Sequence, residues 1–417
     1  MRITLLTYGS RGDVQPFIAL GSRLQQAGHA VRLAAPERFA VQAQTYGMTF
    51  TPLPGDVEAM TRDMVDKAGG NVLRLLSVMI RASLDVVVEM AQRCFAATEG
   101  AEMVVHSFLT AASGHSSARI RRAHDISAQG FPFFATTGEF PQVTSPELPL
   151  GAGYNRLTHE LSHRMIRFVT TTSYQMLHQP HHTLPPPLQW PALGTTTPVL
   201  QAYSSLVVPR PADWPAGIHQ TGFWFLDEGK TYVPPPELSA FLEAGPPPVV
   251  IGFSSANGQE ARRFLELSVH ALRLTGKRGL LLGGWDQGNL DTLASSDQVL
   301  ALRDVPHDWI YPRASAIVHH GGAGTTGAAL RAGVPAVITP IVADQFFWAR
   351  RAYQIGASPA PLIAAKMSAE TLAAAITATN DPTMRRRAAA IGYCIQSEDG
   401  VGNAVRIIEQ LAETKLG

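Results

Sequence analysis

At 417 residues the chain exceeds what one hydrophobic core normally fills, about 250–300 residues, so two domains are expected. A hydrophobic share of 45% is that of an ordinary globular protein, and a formal net charge of +1 argues against nucleic acid or an anionic bilayer as a general partner. The two cysteines, Cys94 and Cys394, lie far apart, which excludes a disulfide framework and a cysteine-based metal site. The apolar run at 3–6 is too short for a signal peptide, and no stretch approaches the ~20 residues of a bilayer span, so a cytoplasmic protein is expected.

Residues 2–8 (RITLLTY) read as a buried strand, followed by a polar turn over 9–15 (GSRGDVQ). Pro16 is suited to open a helix that carries Phe17, Leu20 and Leu24 at helical spacing and ends at Gly28. Residues 29–35 (HAVRLAA) form the next strand. Strand, helix and strand of this length make a right-handed crossover onto a parallel sheet. Ligands bind such sheets beyond the carboxyl ends of the strands, where the 9–15 loop lies. That loop carries Ser10, Arg11 and Asp13, whose plain reading is a capping turn with Asp13 accepting N–H bonds from residues near Pro16. Residues 57–98 carry an apolar stripe at helical spacing, which reads as core or as pocket wall. Residues 102–106 (EMVVH) are a strand with His106 at its end. Phe131, Phe133, Phe134 and Phe140 are four phenylalanines in eleven residues, a density that suits the wall of an apolar pocket better than a surface connection. Helix returns over 154–174, His181 and His182 sit in polar, proline-rich chain, and 204–208 (SSLVV) read as a short strand.

Residues 227–236 (DEGKTYVPPP) are polar and proline-rich and read as an interdomain linker. Strands are expected at 248–253, 278–282 and 299–302, with Ser254 placed after the first either to meet a phosphate or to cap the following helix. Pro306 and Pro312 break 303–315 (RDVPHDWIYPRAS) into a turn and a short helix. The most informative stretch is 317–345, IVHHGGAGTTGAALRAGVPAVITPIVADQ. A strand ends in His319 and His320. A glycine pair then leads into a helix that Gly333 stops, and 335–341 is the next strand, with Asp344 and Gln345 past its end. Glycines admit a ligand close to the backbone, and a helix N-terminus offers free N–H groups and partial positive charge, a setting for a diphosphate. Helices over 346–353, 368–378 and 401–411 complete the chain.

The paired histidines, GGAGTT, AGVP and DQ at these distances resemble the nucleotide-sugar signature of the family 1 glycosyltransferases. GSRGDVQPF resembles the opening of the branch that glycosylates sterols, lipids and antibiotics. The resemblance is most specific at 9–17 and 303–345 and vague between 57 and 210. It implies the GT-B fold, an α/β architecture of two Rossmann-like domains facing each other across a cleft. Residues 1–226 would bind acceptor, 227–236 would link, 237–400 would bind the nucleotide sugar, and the helix in 401–417 would pack back on the first domain. The resemblance also makes Asp13 the catalytic base. It assigns Ser10, Arg11, Ser254, Val305, His307, His320, Ala323, Gly324, Thr325, Asp344 and Gln345 to the donor. Among these, the 303–315 loop would hold the nucleobase by backbone bonds, His320 and its neighbours the diphosphate, and Asp344 with Gln345 the hexose. His106, Phe131, Phe133, Phe134 and Phe140 would line the acceptor pocket, or His106 would orient Asp13. One departure stands out: GFSS at 252–255 lacks the glycine that usually precedes the serine in this branch, which puts the phosphate role of Ser254 in question.

The chain contains no Asp-x-Asp pair, so the transferase is expected to work without a metal or other cofactor. The departing negative charge would fall on His320, the amides of Ala323 to Thr325, the Thr325 hydroxyl and the helix dipole. A metal site on His319 and His320 is disfavoured because adjacent strand-end side chains diverge. The expected reaction is a single displacement with inversion. It carries a hexose, glucose by resemblance, from a UDP- or dTDP-sugar to a lipophilic hydroxylated acceptor such as a sterol, polyketide, flavonoid or glycolipid. Such an acceptor is compatible with weak membrane association. Two rival readings are a nucleotide-sugar epimerase of the same fold, which would not need the phenylalanine-rich loop, and an inactive scaffold, which would not need Asp13, His320, Asp344 and Gln345.

Overall fold

The structure, a computed structural model, describes residues 1–55, 89–178, 188–252, 258–283 and 298–413. The chain divides into two units: Met1–Ser205 with Pro209–Leu226 and Asp399–Gly417, and Leu206–Val208 with Asp227–Glu398. Ser254, His181, His182 and most of the apolar stripe expected over 57–98 lie outside the described residues; the end of that stripe, with Met90 and Cys94, is buried. Among the described residues no helix is long and apolar enough to cross a membrane.

The first unit holds seven strands: β1 Arg2–Leu6, β2 Ala30–Pro36, β3 Thr49–Leu53, β4 Met103–His106, β5 His124–Gln129, β6 Val199–Gln201 and β7 Ile218–Gln220. They form one parallel sheet in the order β3-β2-β1-β4-β5-β6-β7. The central strands are mostly apolar, with Ile3, Leu5, Leu6, Met103, Val104 and Val105 buried, as expected where both faces are covered. Residues 204–208, expected as a strand, are a turn; the pairing falls earlier, where Val199 to Gln201 lie beside Ser127 to Gln129. Both short runs are apolar enough for a strand, and only register against β5 chooses between them. The first helix also differs from expectation. It starts at Arg11, with Ser10 as N-cap and Asp13 at its third position in a capping-box arrangement, so Pro16 falls inside it. Pro16 lacks the N–H that would reach the Gly12 carbonyl, and Gly12 is exposed, so water can serve that oxygen.

Phe17, Leu20 and Leu24 of this helix share a core with β1, β2 and β4, with Trp224, and with Ala404, Val405 and Ile408 of the last helix, Gly400–Glu413. The C-terminal helix is therefore a part of the first unit, further tied by Asn403, whose amide donates to the Thr221 carbonyl at 2.8 Å.

The second unit holds β8 Val249–Gly252, β9 Gly279–Leu282, β10 Val299–Leu302, β11 Ala316–His319 and β12 Ala336–Ile338, parallel and in the order β10-β9-β8-β11-β12. Residues 227–236, expected as a linker, are bonded into this unit. The Gly229 N–H donates to the Asp308 carboxylate at 2.7 Å, Asp227 pairs with Arg331 at 2.6 Å, and the Tyr232 ring packs on Trp309. In both sheets the strand order reverses beside the first strand, between β1 and β4 and between β8 and β11. These are the switch points at which open α/β sheets bind ligands.

Candidate active site

At the first switch point β1 leads into Gly9, whose φ of +139° suits glycine alone. A Cβ there would lie 2.3 Å from Asp13 Oδ2, so glycine lets the carboxylate fold back over the turn. Ser10 donates to Asp13 Oδ2 from both its backbone N–H, at 2.8 Å, and its hydroxyl, at 2.9 Å. Among the described residues no hydrogen bond falls on Oδ1. Burial raises the Asp13 pKa above its ordinary value, opposed by the two Ser10 bonds and then by the charge of Arg38. One oxygen caps the helix; the other remains as a basic site at the carboxyl edge of the sheet. The capping and catalytic readings of Asp13 are thus compatible. Ser10 gives its hydroxyl to Asp13, and Arg11 is exposed one residue further on. Both belong to the first unit.

His106 ends β4, but it does not serve Asp13. Its Nε2 lies 3.0 Å from Asp125 Oδ1 on β5, while His115 and Thr197 both bond Asp125 Oδ2. Burial pushes the Asp125 carboxyl up, but His106 and then His115 outweigh it and hold it well below its ordinary value. Asp125 lies on the neighbouring strand opposite Val104, so the buried His106 ring is engaged by a partner within the sheet.

Phe131, Phe133 and Phe134 form a continuous cluster with Phe108, which follows β4. Ring centroids are 5.1 Å apart for Phe108 and Phe131, 5.2 Å for Phe108 and Phe133, and 4.9 Å for Phe133 and Phe134. Phe134 also meets His163 and Trp190. Phe108 lies outside the phenylalanine-rich run in the sequence, and only its place after β4 marks it. Phe140 is separate, packed on His159 and Trp214. Phe133 and Phe140 are buried, and Phe131 and Phe134 are half-buried. The helix Gly151–His178 holds this loop in place: His159 Nε2 lies 3.2 Å from the Phe140 carbonyl and His163 Nε2 lies 3.3 Å from that of Phe133. Burial lowers both imidazoles, His159 to about 4. Asp213 fixes the loop's other side, accepting from the Thr137 hydroxyl at 2.6 Å and the Gly138 N–H at 2.8 Å.

In the second unit β11 delivers His319 and His320 to the switch point, and the helix Ala323–Ala332 follows with Gly322 as its N-cap. No side chain caps this helix, and among the described residues the N–H groups of Ala323, Gly324 and Thr325 make no bond. His320 lies over that end: a Cβ on Gly322 would stand 2.7 Å from its Nε2. Its Nδ1 is buried without a partner among the described residues, and burial lowers its pKa to about 4, so the ring is neutral at pH 7. Val305 is 1% exposed and sits in the core, which leaves only its peptide group to meet a ligand. His307 opens the short helix His307–Ile310 and stacks on Tyr311 at 4.5 Å.

Asp344 and Gln345 do more than the sequence suggests. Asp344 is the N-cap of the helix Gln345–Gln354 but makes no side-chain cap bond; its Oδ2 accepts from the indole N–H of buried Trp348 at 3.1 Å. Gln345 turns its amide oxygen back onto its own loop, accepting from the N–H groups of Ile341 at 2.8 Å and Val342 at 3.0 Å. Its amide nitrogen makes no bond among the described residues. Ala343, just before Asp344, adopts φ +54°, a left-handed conformation rare for a residue with a Cβ. Among the described residues no three His, Cys, Asp or Glu side chains gather as a metal site.

Residues 286–405 match the family described as Erythromycin biosynthesis protein CIII-like, C-terminal domain, and residues 3–103 match the Glycosyltransferase family 28 N-terminal domain. The sequence is 37% identical to an O-mycaminosyltylonolide 6-deoxyallosyltransferase of Streptomyces fradiae, over 100% of this chain and 98% of that one. It is 34% identical to a sterol 3-beta-glucosyltransferase of Arabidopsis thaliana, over 97% of this chain and 65% of the plant protein. The fold matches that of the glycosyltransferase VinC, solved in complex with dTDP, with a TM-score of 0.68 at 17% identity, covering 99% of this chain and 100% of that one.

Proposed function

The chain belongs to the GT-B glycosyltransferases, the family of the O-mycaminosyltylonolide 6-deoxyallosyltransferase and the sterol 3-beta-glucosyltransferase, and on that premise we propose that it moves a hexose from a pyrimidine nucleoside diphosphate sugar to a hydroxyl of a lipophilic acceptor, with inversion and without a metal. The observation that carries the donor half is the set of unpaired groups after β11. Three free amides at a helix N-terminus and a neutral imidazole above them form a preorganised seat for a diphosphate. Asp344 and the Gln345 amide nitrogen stand on the adjoining loop, where vicinal hydroxyls of a hexose find an acceptor and a donor. Glucose is the favoured hexose, since the plant relative is named for it. UDP and dTDP both suit the 303–315 loop, because uracil and thymine share the edge that peptide groups of such a loop would read.

In the reaction the acceptor hydroxyl gives its proton to Asp13 Oδ1 as its oxygen bonds to the anomeric carbon. The bond from that carbon to the phosphate oxygen breaks, and the nucleoside diphosphate leaves with the electron pair onto the amides and imidazole. Apart from proton transfer, this chain's residues supply position and charge. The aromatic cluster of Phe108, Phe131, Phe133 and Phe134 supports a ring-bearing, apolar acceptor.

A product screen by mass spectrometry, crossing UDP- and dTDP-hexoses with hydroxylated lipophilic acceptors with and without EDTA, tests this reading. A glycoside formed equally in EDTA is the expected result. Transfer that disappears in EDTA and returns with magnesium would overturn the metal-free assignment, and transfer only to small polar acceptors would overturn the acceptor class.

A further inference from the structure

His319 is one residue from the imidazole assigned to the diphosphate, yet it points elsewhere. It is fully buried, and its Nδ1 accepts the backbone N–H of Gly321 at 3.0 Å. Its own carbonyl is held in turn by Thr339, from the backbone N–H at 2.9 Å and from the hydroxyl at 3.3 Å. The residue is therefore clamped on one side to β12 and on the other to the glycine two positions on. Gly321 needs such a hold. Its φ is +93°, and a Cβ there would meet Ile338 Cγ2 at 2.8 Å and the Gln345 carbonyl at 3.1 Å. The turn thus leans on the Asp344–Gln345 loop while it redirects the chain from β11 into the N-cap of the next helix. A turn free to relax would carry His320 and the three helix amides away from one another.

The protonation state of the ring follows from the same geometry. An Nδ1 that accepts an amide proton carries none, so the proton of the neutral ring is on Nε2. Burial, then the neighbouring charges of His320 and His307, hold the pKa of His319 well below its ordinary value, which keeps the ring in that accepting form. Nε2 is buried and has no partner among the described residues.

We propose that His319 is a positioning residue for the donor: through Nδ1 it fixes the Gly321 turn, and so sets the spacing between His320 and the amides of Ala323, Gly324 and Thr325. This rests on the reading of that loop as the diphosphate seat. It assigns the ring's acceptor nitrogen, not its charge or a metal, as the feature that acts.

Asparagine places an amide oxygen where Nδ1 stands, glutamine reaches only toward Nε2, and leucine replaces neither. The test compares His319→Asn, His319→Gln and His319→Leu with the wild type for the Kd of UDP and dTDP by calorimetry, the KM of sugar donor and of acceptor, and thermal unfolding. Affinity in the Asn variant is expected within about threefold of wild type, and a loss of about tenfold or more is expected for Gln and Leu, the order of one buried hydrogen bond, with acceptor KM unchanged. Rescue by Gln in place of Asn, or equal affinity in all three, overturns the proposal. A wild type that binds neither nucleotide overturns the diphosphate seat itself, a separable failure. Where the Gln and Leu variants do not fold, two-bond ¹H–¹⁵N spectra of the wild-type His319 ring decide: a bare Nδ1 is expected, and a proton on Nδ1 overturns the assignment.

Discussion

Ser10 and Asp13 are joined twice at one oxygen: the amide and the hydroxyl of Ser10 both donate to Asp13 Oδ2, at 2.8 and 2.9 Å. The pair starts a helix and, with the same bonds, holds a second carboxylate oxygen in a fixed direction. A helix cap and a general base are usually weighed against each other, but here the cap uses Oδ2 alone, and the proposed base would use Oδ1.

Asp13→Asn keeps an amide oxygen for the Ser10 N–H but removes the proton acceptor. Turnover is expected to fall about 10²–10⁴-fold, the ordinary contribution of a general base, with nucleotide affinity unchanged. Ser10→Ala removes one bond that lowers the Asp13 pKa, so that pKa rises further above its ordinary value. The base is then lost to protonation earlier as pH falls, and the acid limb of the kcat/KM profile moves to higher pH with little change near pH 8. An acid limb unmoved in Ser10→Ala would separate Asp13 from the base role.

His320→Ala removes the neutral imidazole above the helix end. Nucleoside diphosphate affinity is expected to drop by about ten- to a hundredfold, as for a hydrogen bond to a charged group, with acceptor KM little changed. Calorimetry with UDP and dTDP reads this directly, and an unchanged Kd removes His320 from the seat.

His159 and His320 both have folded pKa values lowered to about 4 from 6.5, mainly by burial. The unfolded chain takes up protons below 6.5 while the folded chain does not, so stability falls as pH drops from about 6.5 toward 4 and is unaffected above it. Each ring contributes about 1.4 kcal/mol per pH unit inside that window. Asp13, whose pKa is raised, acts in the opposite sense by favouring protonation in the folded state. Urea midpoints should therefore be flat above pH 7 and fall between pH 6.5 and 5; a midpoint level across that range would show the rings free to protonate.

Ala343 is exposed, and exposed substitutions usually change stability by less than about 0.5 kcal/mol. Its φ of +54° makes it an exception. Ala343→Val should destabilise by more than about 1 kcal/mol, because a β-branched residue is an outlier in the left-handed region, whereas Ala343→Gly should be neutral or stabilising. Denaturant unfolding of the two variants gives the ordering, and a valine variant as stable as the glycine one would refute the strain.

Much of this chain could be read without coordinates because its signals are local. Apolar runs such as 3–6, 249–251 and 316–318 announce strands covered on both faces, and the glycines and Pro335 around 319–335 place a strand, a turn and a helix within a residue or two. The density of the Phe131 to Phe140 run announces aromatic packing, which Phe131, Phe133 and Phe134 show. The misses share a cause. β6 was expected at 204–208 because two short apolar runs are alike until one meets β5. The partner of His106 was not legible either, because Asp125, nineteen positions on, is adjacent only across paired strands.

Residue order by itself determined most of the strands and the glycine-rich turns, since backbone freedom and burial period depend on near neighbours. Three matters waited for tertiary structure: that Asp13 takes both Ser10 bonds on one oxygen, that Gln345 turns its amide oxygen onto its own loop, and that His319 accepts from a glycine N–H. A side chain's choice among partners depends on which atoms the sheet register and the turns bring within 3 Å, and spacing along the chain does not carry that information.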